Sequence, residues 1–150
     1  MEKRSFDKVR RINGLSNELN LVYHQAARRL GLSDSVMCVL YMLYERGEPC
    51  RVCDICSEGG ISKQTVNSAL RRLESEGAIY LEPDEGKRKR VCLTQKGREL
   101  TAQTAARIFE AECTVFGGWP DEEYEQYLRL MKKYVDDFRA EIEKTEGEMR

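Results

Sequence analysis

The segment Ile61–Glu82, "ISKQTVNSALRRLESEGAIYLE", decides how the chain is read. Its apolar residues Val66, Ala69, Leu70 and Leu73 recur at three- and four-residue intervals, so they form one helix face that needs a core. Ser62 can cap the helix, because its hydroxyl can accept from a free backbone N–H, and Gly77 can end it. Gln64, Asn67, Ser68 and Arg71 point away from the core face. They can hydrogen-bond base edges, and no bulky apolar group among them would obstruct a major groove. Lys63 and Thr65 flank that face near the helix N-terminus, where unpaired N–H groups and the helix dipole favour phosphate. Arg71 and Arg72 extend the cationic reach. A merely solvated helix face has the same composition, so the helix alone leaves both readings open.

The residues that follow separate them. "AIYLE" (78–82) and "VCLT" (91–94) read as a hairpin whose connection, "PDEGKRKR" (83–90), is turn-forming and basic. Four consecutive cations, Lys87, Arg88, Lys89 and Arg90, sit at this tip. As a solvated loop they would only discourage edge pairing. Beside a recognition helix they suit insertion into the adjacent minor groove or along its phosphates, and the combination favours DNA. Upstream, "LSDSVMCVLYMLYERG" (32–47) predicts a helix with Ser33 as N-cap and Asp34 in its first turn. Val36, Met37, Val39, Leu40 and Leu43 form its core face, and "RGEP" stops it. A short helix is expected over about 50–57. Residues 33–97 thus outline a winged helix-turn-helix, mainly α with a small β-hairpin wing.

Long helices flank this lobe. Ile12, Leu15, Leu19, Val22, Tyr23, Ala26 and Leu30 share one face of the first, with His24 on the opposite, polar side. A single helix is expected over about 95–116, apolar on two faces. One holds Ala102, Ala105, Phe109, Cys113 and Phe116, the other Leu100, Ile108, Ala111 and Val115. "GGWPDEE" breaks it, with Pro120 suited to a first helical turn. The last helix carries a narrow stripe: Tyr124, Tyr127, Leu128, Met131, Val135, Phe138 and Ile142. So much apolar helix beside one small lobe implies a partner surface, most economically a homodimer. Residues 1–32 plus 98–150 are therefore read as a helical dimerisation region, within one compact domain overall.

Composition agrees. The chain has 150 residues, 41% hydrophobic and 34% charged, a globular balance. No apolar run suits a signal peptide or a membrane span, so a cytoplasmic protein is expected, with no membrane partner and reduced cysteines. The net charge of −1 conceals an uneven distribution. Residues 51–98 hold ten cations against seven anions, and residues 117–150 hold ten anions against six cations. This places a polyanion-binding middle beside an acidic tail.

"LSDSVMCVLYMLYERG", "ISKQTVNSALRRLESEGAIY" and "VCLTQKGREL" together resemble the MarR family of dimeric winged-helix transcriptional regulators. The resemblance spans nearly the whole chain and is sharpest at the recognition-helix segment and at "LTQKG" (93–97). It implies a homodimer on a pseudo-palindromic double-stranded operator, usually a repressor released by a small-molecule effector or by thiol oxidation. Its recognition helices should then enter major grooves ~34 Å apart. The family's wing commonly carries Asp-x-Arg; the matching residues here are Glu85, Gly86 and Lys87, and lysine lacks the planar arginine fork. The peroxide-sensing branch has a cysteine where this chain has Asn20. Zinc-sensing members use several histidines, whereas here there is only His24, read as a surface residue. The candidate DNA-binding residues are Ser62, Lys63, Gln64, Thr65, Asn67, Ser68, Arg71, Arg72, Lys87, Arg88 and Lys89.

"EPCRVCDIC" (48–56) offers an alternative, a cysteine-based redox or metal-binding protein. On a helix starting near residue 50, Val52, Ile55 and Cys56 face the core, Cys53 lies at its edge and Cys50 outside. Cys50 and Cys56 would stand ~9 Å apart along the axis, whereas two thiolates on one zinc come within ~4 Å of each other. A three-cysteine metal or cluster site is disfavoured on that ground, and no metal or cofactor is expected. Cys50 and Cys53, a C-x-x-C after Pro49 with Arg51 nearby, are candidates for a redox switch; as plain core thiols they would need no function. Cys38, Cys92 and Cys113 look structural. No enzyme is expected, since the chain shows no paired nucleophile and base and no phosphate-binding glycine loop.

Overall fold

A computed structural model describes residues 3–148; Met1, Glu2, Met149 and Arg150 of the expected dimerisation region lie outside the described residues. The chain forms two compact units, one running to Glu110 and the other starting at Ala111. The element order is α1 (Lys3–Arg29), α2 (Asp34–Arg46), β1 (Cys50–Arg51), α3 (Val52–Gly59), α4 (Lys63–Ser75), β2 (Ile79–Pro83), β3 (Lys89–Leu93), α5 (Gln95–Gln103), α6 (Ala105–Gly117) and α7 (Asp121–Glu148). This is a mainly helical winged helix with a three-stranded antiparallel sheet in the order β1-β3-β2.

Local chemistry sets the helix ends. Ser33 caps α2, its Oγ accepting from Val36 N at 3.3 Å. Ser62 caps α4, accepting from Thr65 N at 3.2 Å. After α4 the Ala78 N–H donates to Leu73 O at 2.8 Å and the Gly77 N–H to Glu74 O at 3.0 Å. Gly77 takes φ +71° there, the left-handed conformation that lets a helix close on its own last carbonyls. Val36, Val39, Leu40 and Leu43 of α2 join Ile55 of α3, Val66, Leu70 and Leu73 of α4, and Val91 and Leu93 of β3 in one buried core. The hairpin pairs Ile79 with Leu93 through Pro83 with Lys89.

The "LTQKG" phrase has a physical explanation. Thr94 Oγ1 donates to Gly77 O at 2.6 Å and accepts from Gly97 N at 3.1 Å, capping α5 onto the end of α4. Gly97 lies so close to the α4–β2 turn that an added Cβ would stand 1.9 Å from Ala78 O. Only glycine fits. Glu48 completes this seam: Oε2 accepts from Leu93 N at 2.5 Å and Oε1 from Arg98 Nε at 2.6 Å.

Three expectations need correction. Residues 95–116 are not one helix, because α5 ends at Gln103 and Thr104 takes φ −128°, ψ −87°. The Thr101 and Thr104 hydroxyls donate to Gly97 O and Leu100 O, four residues back, a pattern that bends helices. Ala102 consequently lies exposed rather than on a packed face. Cys50 belongs to β1, paired with Val91, and is buried in the core rather than outside a helix. Cys113, expected in an apolar setting, is exposed.

Elsewhere the apolar periodicity is real but uncovered. In α1 only Ala27 is buried, while Ile12, Leu15, Leu19 and Val22 are at least half exposed. In the second unit α7 has no buried residue among those described. Phe116 there packs edge-on to Trp119 and Tyr124, with centroids 5.3 and 5.8 Å away. Among the described residues no helix is long and apolar enough to cross a membrane.

Candidate nucleic-acid interface

The buried stripe of α4 fixes its rotation, and the opposite face is left to solvent. Ser62, Lys63, Gln64, Thr65, Ser68, Arg71 and Arg72 are exposed, and Asn67 is half-buried. The Ser62 and Thr65 hydroxyls contact each other at 2.8 Å, so both already serve the helix start. Arg72 is engaged as well, with Nε 3.0 Å from Glu76 Oε1. Gln64, Ser68 and Arg71 remain available on the outer surface.

The wing is held by charges that the sequence reading missed. Asp84, whose side chain is 9% exposed, has Oδ2 2.8 Å from Arg51 Nε and Oδ1 3.9 Å from Arg90 Nε. Neither Asp84 Oδ2 nor Arg90 Nε completes a well-directed hydrogen bond, so the contact is charge–charge attraction, not a bidentate pair. Arg90 also lies 3.6 Å from Glu82 Oε2, its partner in the strand register. That cross-strand pairing was the one available signal; the Arg51 link needs β1, too short to show periodicity. The tip turns at Gly86, φ +68°, with Asp84 N donating to Arg88 O at 2.9 Å.

Between α4, α3 and the wing lies a cavity of about 780 Å³. Lys63, Asn67 and Arg71 of α4 meet Lys87, Arg88 and Lys89 of the wing across it. Six of the eleven predicted DNA-binding residues thus share one groove, while Ser62, Gln64, Thr65, Ser68 and Arg72 lie outside it. Lys63, Arg71, Lys87, Arg88 and Lys89 form no ion pair with any described residue. Arg90, the fourth cation of the run, is instead consumed by Glu82 and Asp84. The groove holds five unneutralised cations against one lining carboxylate, Glu74.

The cysteines separate. Burial pushes the Cys50 thiol pKa up, and the Asp54 carboxylate acts in the same direction. A reactive thiolate is favoured by the opposite environment, so burial at Cys50 works against a Cys50–Cys53 switch. Cys53 is exposed and Cys56 half-buried, and both line the groove. Among the described residues no three His, Cys, Asp or Glu side chains gather as a metal-binding group. His24 is half-exposed and bonded through Nδ1 to Asp34 Oδ2 at 2.8 Å, tying α1 to the start of α2.

A family model described as "MarR family" matches residues 30–90. No curated protein matches the sequence. Solved structures do match in fold. The S. aureus MepR–DNA complex is 24% identical, covers 85% of this chain and 93% of that one, and superposes with a TM-score of 0.69. A MarR-family transcriptional regulator from Silicibacter pomeroyi is 21% identical, with 84% and 86% covered and a TM-score of 0.68. The transcription regulator MarR from Oenococcus oeni PSU-1 is 19% identical, with 85% and 97% covered and a TM-score of 0.64.

Proposed function

We propose that this protein, whose residues 30–90 match a MarR-family model, is a dimeric, sequence-specific DNA-binding transcriptional regulator and not an enzyme. The observation that carries the reading is the set of five unpaired cations on the groove between α4 and the wing. A cation without a carboxylate partner can meet phosphate without first breaking an ion pair, and backbone phosphates dominate affinity for duplex DNA. Gln64, Ser68 and Arg71 supply the base-edge contacts, and Lys63 and the α4 N-terminus hold phosphate. Lys87, Arg88 and Lys89 lie along the adjacent minor groove. S. aureus MepR, a fold relative solved in complex with DNA, supports DNA as the ligand.

Residues 33–97 are the DNA-binding lobe, and residues 1–32 plus 98–150 form the dimerisation region. The uncovered apolar faces of α1 and α7 support a second copy as partner. Such a dimer would match a pseudo-palindromic operator and act as a repressor released by a small-molecule effector.

The test is fluorescence anisotropy of the full chain on its own upstream intergenic DNA and on a scrambled duplex, each at several salt concentrations. The expected result is saturable binding, tighter on the natural duplex, with a steep salt dependence. Replacing Lys87 and Arg88 together with alanine should flatten the log–log salt slope by about 1.8, the loss of two phosphate contacts. Equal affinity for both duplexes, unchanged in the double variant, would sink the proposal.

A further inference from the structure

The sequence contains two overlapping C-x-x-C pairs, and the structure distinguishes them. Cys50 is buried in β1 with its Sγ turned to Arg51 O. Cys53 and Cys56 lie three residues apart on α3, and both line the cavity between α3, α4 and the wing. We propose that Cys53 and Cys56 form a dithiol site for a neutral trivalent arsenical, and that its occupation blocks the groove that holds DNA. The second half rests on the DNA-binding reading above.

Geometry and charge select this ligand class. Residues three apart on a helix hold their Cβ atoms about 5–6 Å from each other. A disulfide needs Cβ atoms about 3.5–4.5 Å apart, so direct oxidation must distort the first turns of α3. A soft centre with two sulfur bonds, each about as long as the 2.3 Å of a zinc thiolate, spans the wider gap without that distortion. Zinc in a structural site takes four ligands, and among the described residues no third His, Cys, Asp or Glu joins this pair as a metal-binding group. Trivalent arsenic bearing one carbon substituent is complete with two sulfurs. The five cations lining the cavity oppose a divalent metal ion but not a neutral molecule.

The step balances without any oxidant. An arsonous acid, R–As(OH)₂, reacts with two thiols. Two As–O and two S–H bonds break, two As–S bonds form, and the protons leave in two water molecules. Arsenic stays trivalent throughout.

The experiment titrates the full, reduced chain with phenylarsine oxide in the presence of a competing monothiol. Intact mass and free-thiol counts are read, with circular dichroism confirming that each variant is folded. The expected result is one arsenic per chain with two thiols lost. Cys53→Ser and Cys56→Ser should each weaken binding ~100-fold or more, because the second sulfur attachment is intramolecular. Cys50→Ser and Cys113→Ser should leave it unchanged. Undiminished affinity in Cys53→Ser or Cys56→Ser, or a loss in Cys50→Ser, overturns the site. In parallel, anisotropy on the upstream duplex should show at least tenfold weaker DNA binding by the arsenical-loaded chain, an effect missing in Cys53→Ser. Full DNA affinity in the loaded chain overturns the blocking role. Absence of duplex binding by the untreated chain overturns the DNA reading instead, and the mass adduct then still decides the dithiol.

Discussion

The winged lobe and the long terminal helices carry the same kind of sequence pattern and meet opposite fates. In α4 the residues at helical spacing, Val66, Ala69, Leu70 and Leu73, are all at most 4% exposed. In α1 the equally regular Ile12, Leu15, Leu19 and Val22 are 50–63% exposed, and in α7 Leu128, Met131, Val135 and Phe138 are 43–54% exposed. Periodicity therefore reports that a face needs burial, not what buries it. In the lobe other elements of the same chain supply the cover. In α1 and α7 the same kind of face stays exposed, and that contrast is what the proposed homodimer would account for.

Substitutions at matched positions test that contrast. Leu73→Ala should cost about 2–5 kcal/mol in urea unfolding at any protein concentration, because it opens a cavity in a core the chain makes alone. Leu15→Ala should destabilise only where the protein is dimeric, and wild-type Tm should rise with protein concentration. A concentration-independent Tm with a fully destabilising Leu15→Ala would erase the distinction between the regions.

Gly97→Ala probes the seam between α4, the wing and α5. With a Cβ otherwise 1.9 Å from Ala78 O, the backbone must shift. The expected loss is on the order of 3 kcal/mol, lowering Tm by roughly 6–12 °C in a chain of this length. Gly14→Ala in α1 meets nothing within 4 Å and is the matched control. It should be neutral or slightly stabilising, since alanine is the better helix former.

The smallest effect lies on α7. Lys132 Nζ donates to Asp136 one turn on, and that hydrogen bond holds the Asp136 carboxyl below its ordinary pKa. A depressed carboxyl favours the helix above its unfolded pKa of ~3.9 and loses that contribution as pH falls through the folded value. Lys132→Ala should move the Asp136 titration upward, read by carboxyl chemical shifts, with a barely detectable change in stability.

Much of this molecule was legible in advance, for reasons visible in individual residues. Ser33, Ser62 and Gly77 mark helix ends through interactions spanning a few residues, so local chemistry sufficed. The α4 stripe and the hairpin around "PDEGKRKR" are likewise short-range patterns. The break at Thr104 escaped because threonine hydroxyls turning back on the helix leave the apolar spacing intact. Strand β1 escaped because two residues have no period.

For function, the sequence alone determined which side chains were on offer: a polar α4 face, a basic tip and three closely spaced cysteines. Tertiary structure decided which of them share a space. Asp84 and Glu82 neutralise Arg90 but leave Lys87, Arg88 and Lys89 unpaired, and β1 removes Cys50 to the core while α3 turns Cys53 and Cys56 into the groove. Those outcomes depend on contacts between residues as far apart as Arg51 and Asp84. Local spacing carries no information about such pairs; only closure of the chain around its core sets their distances.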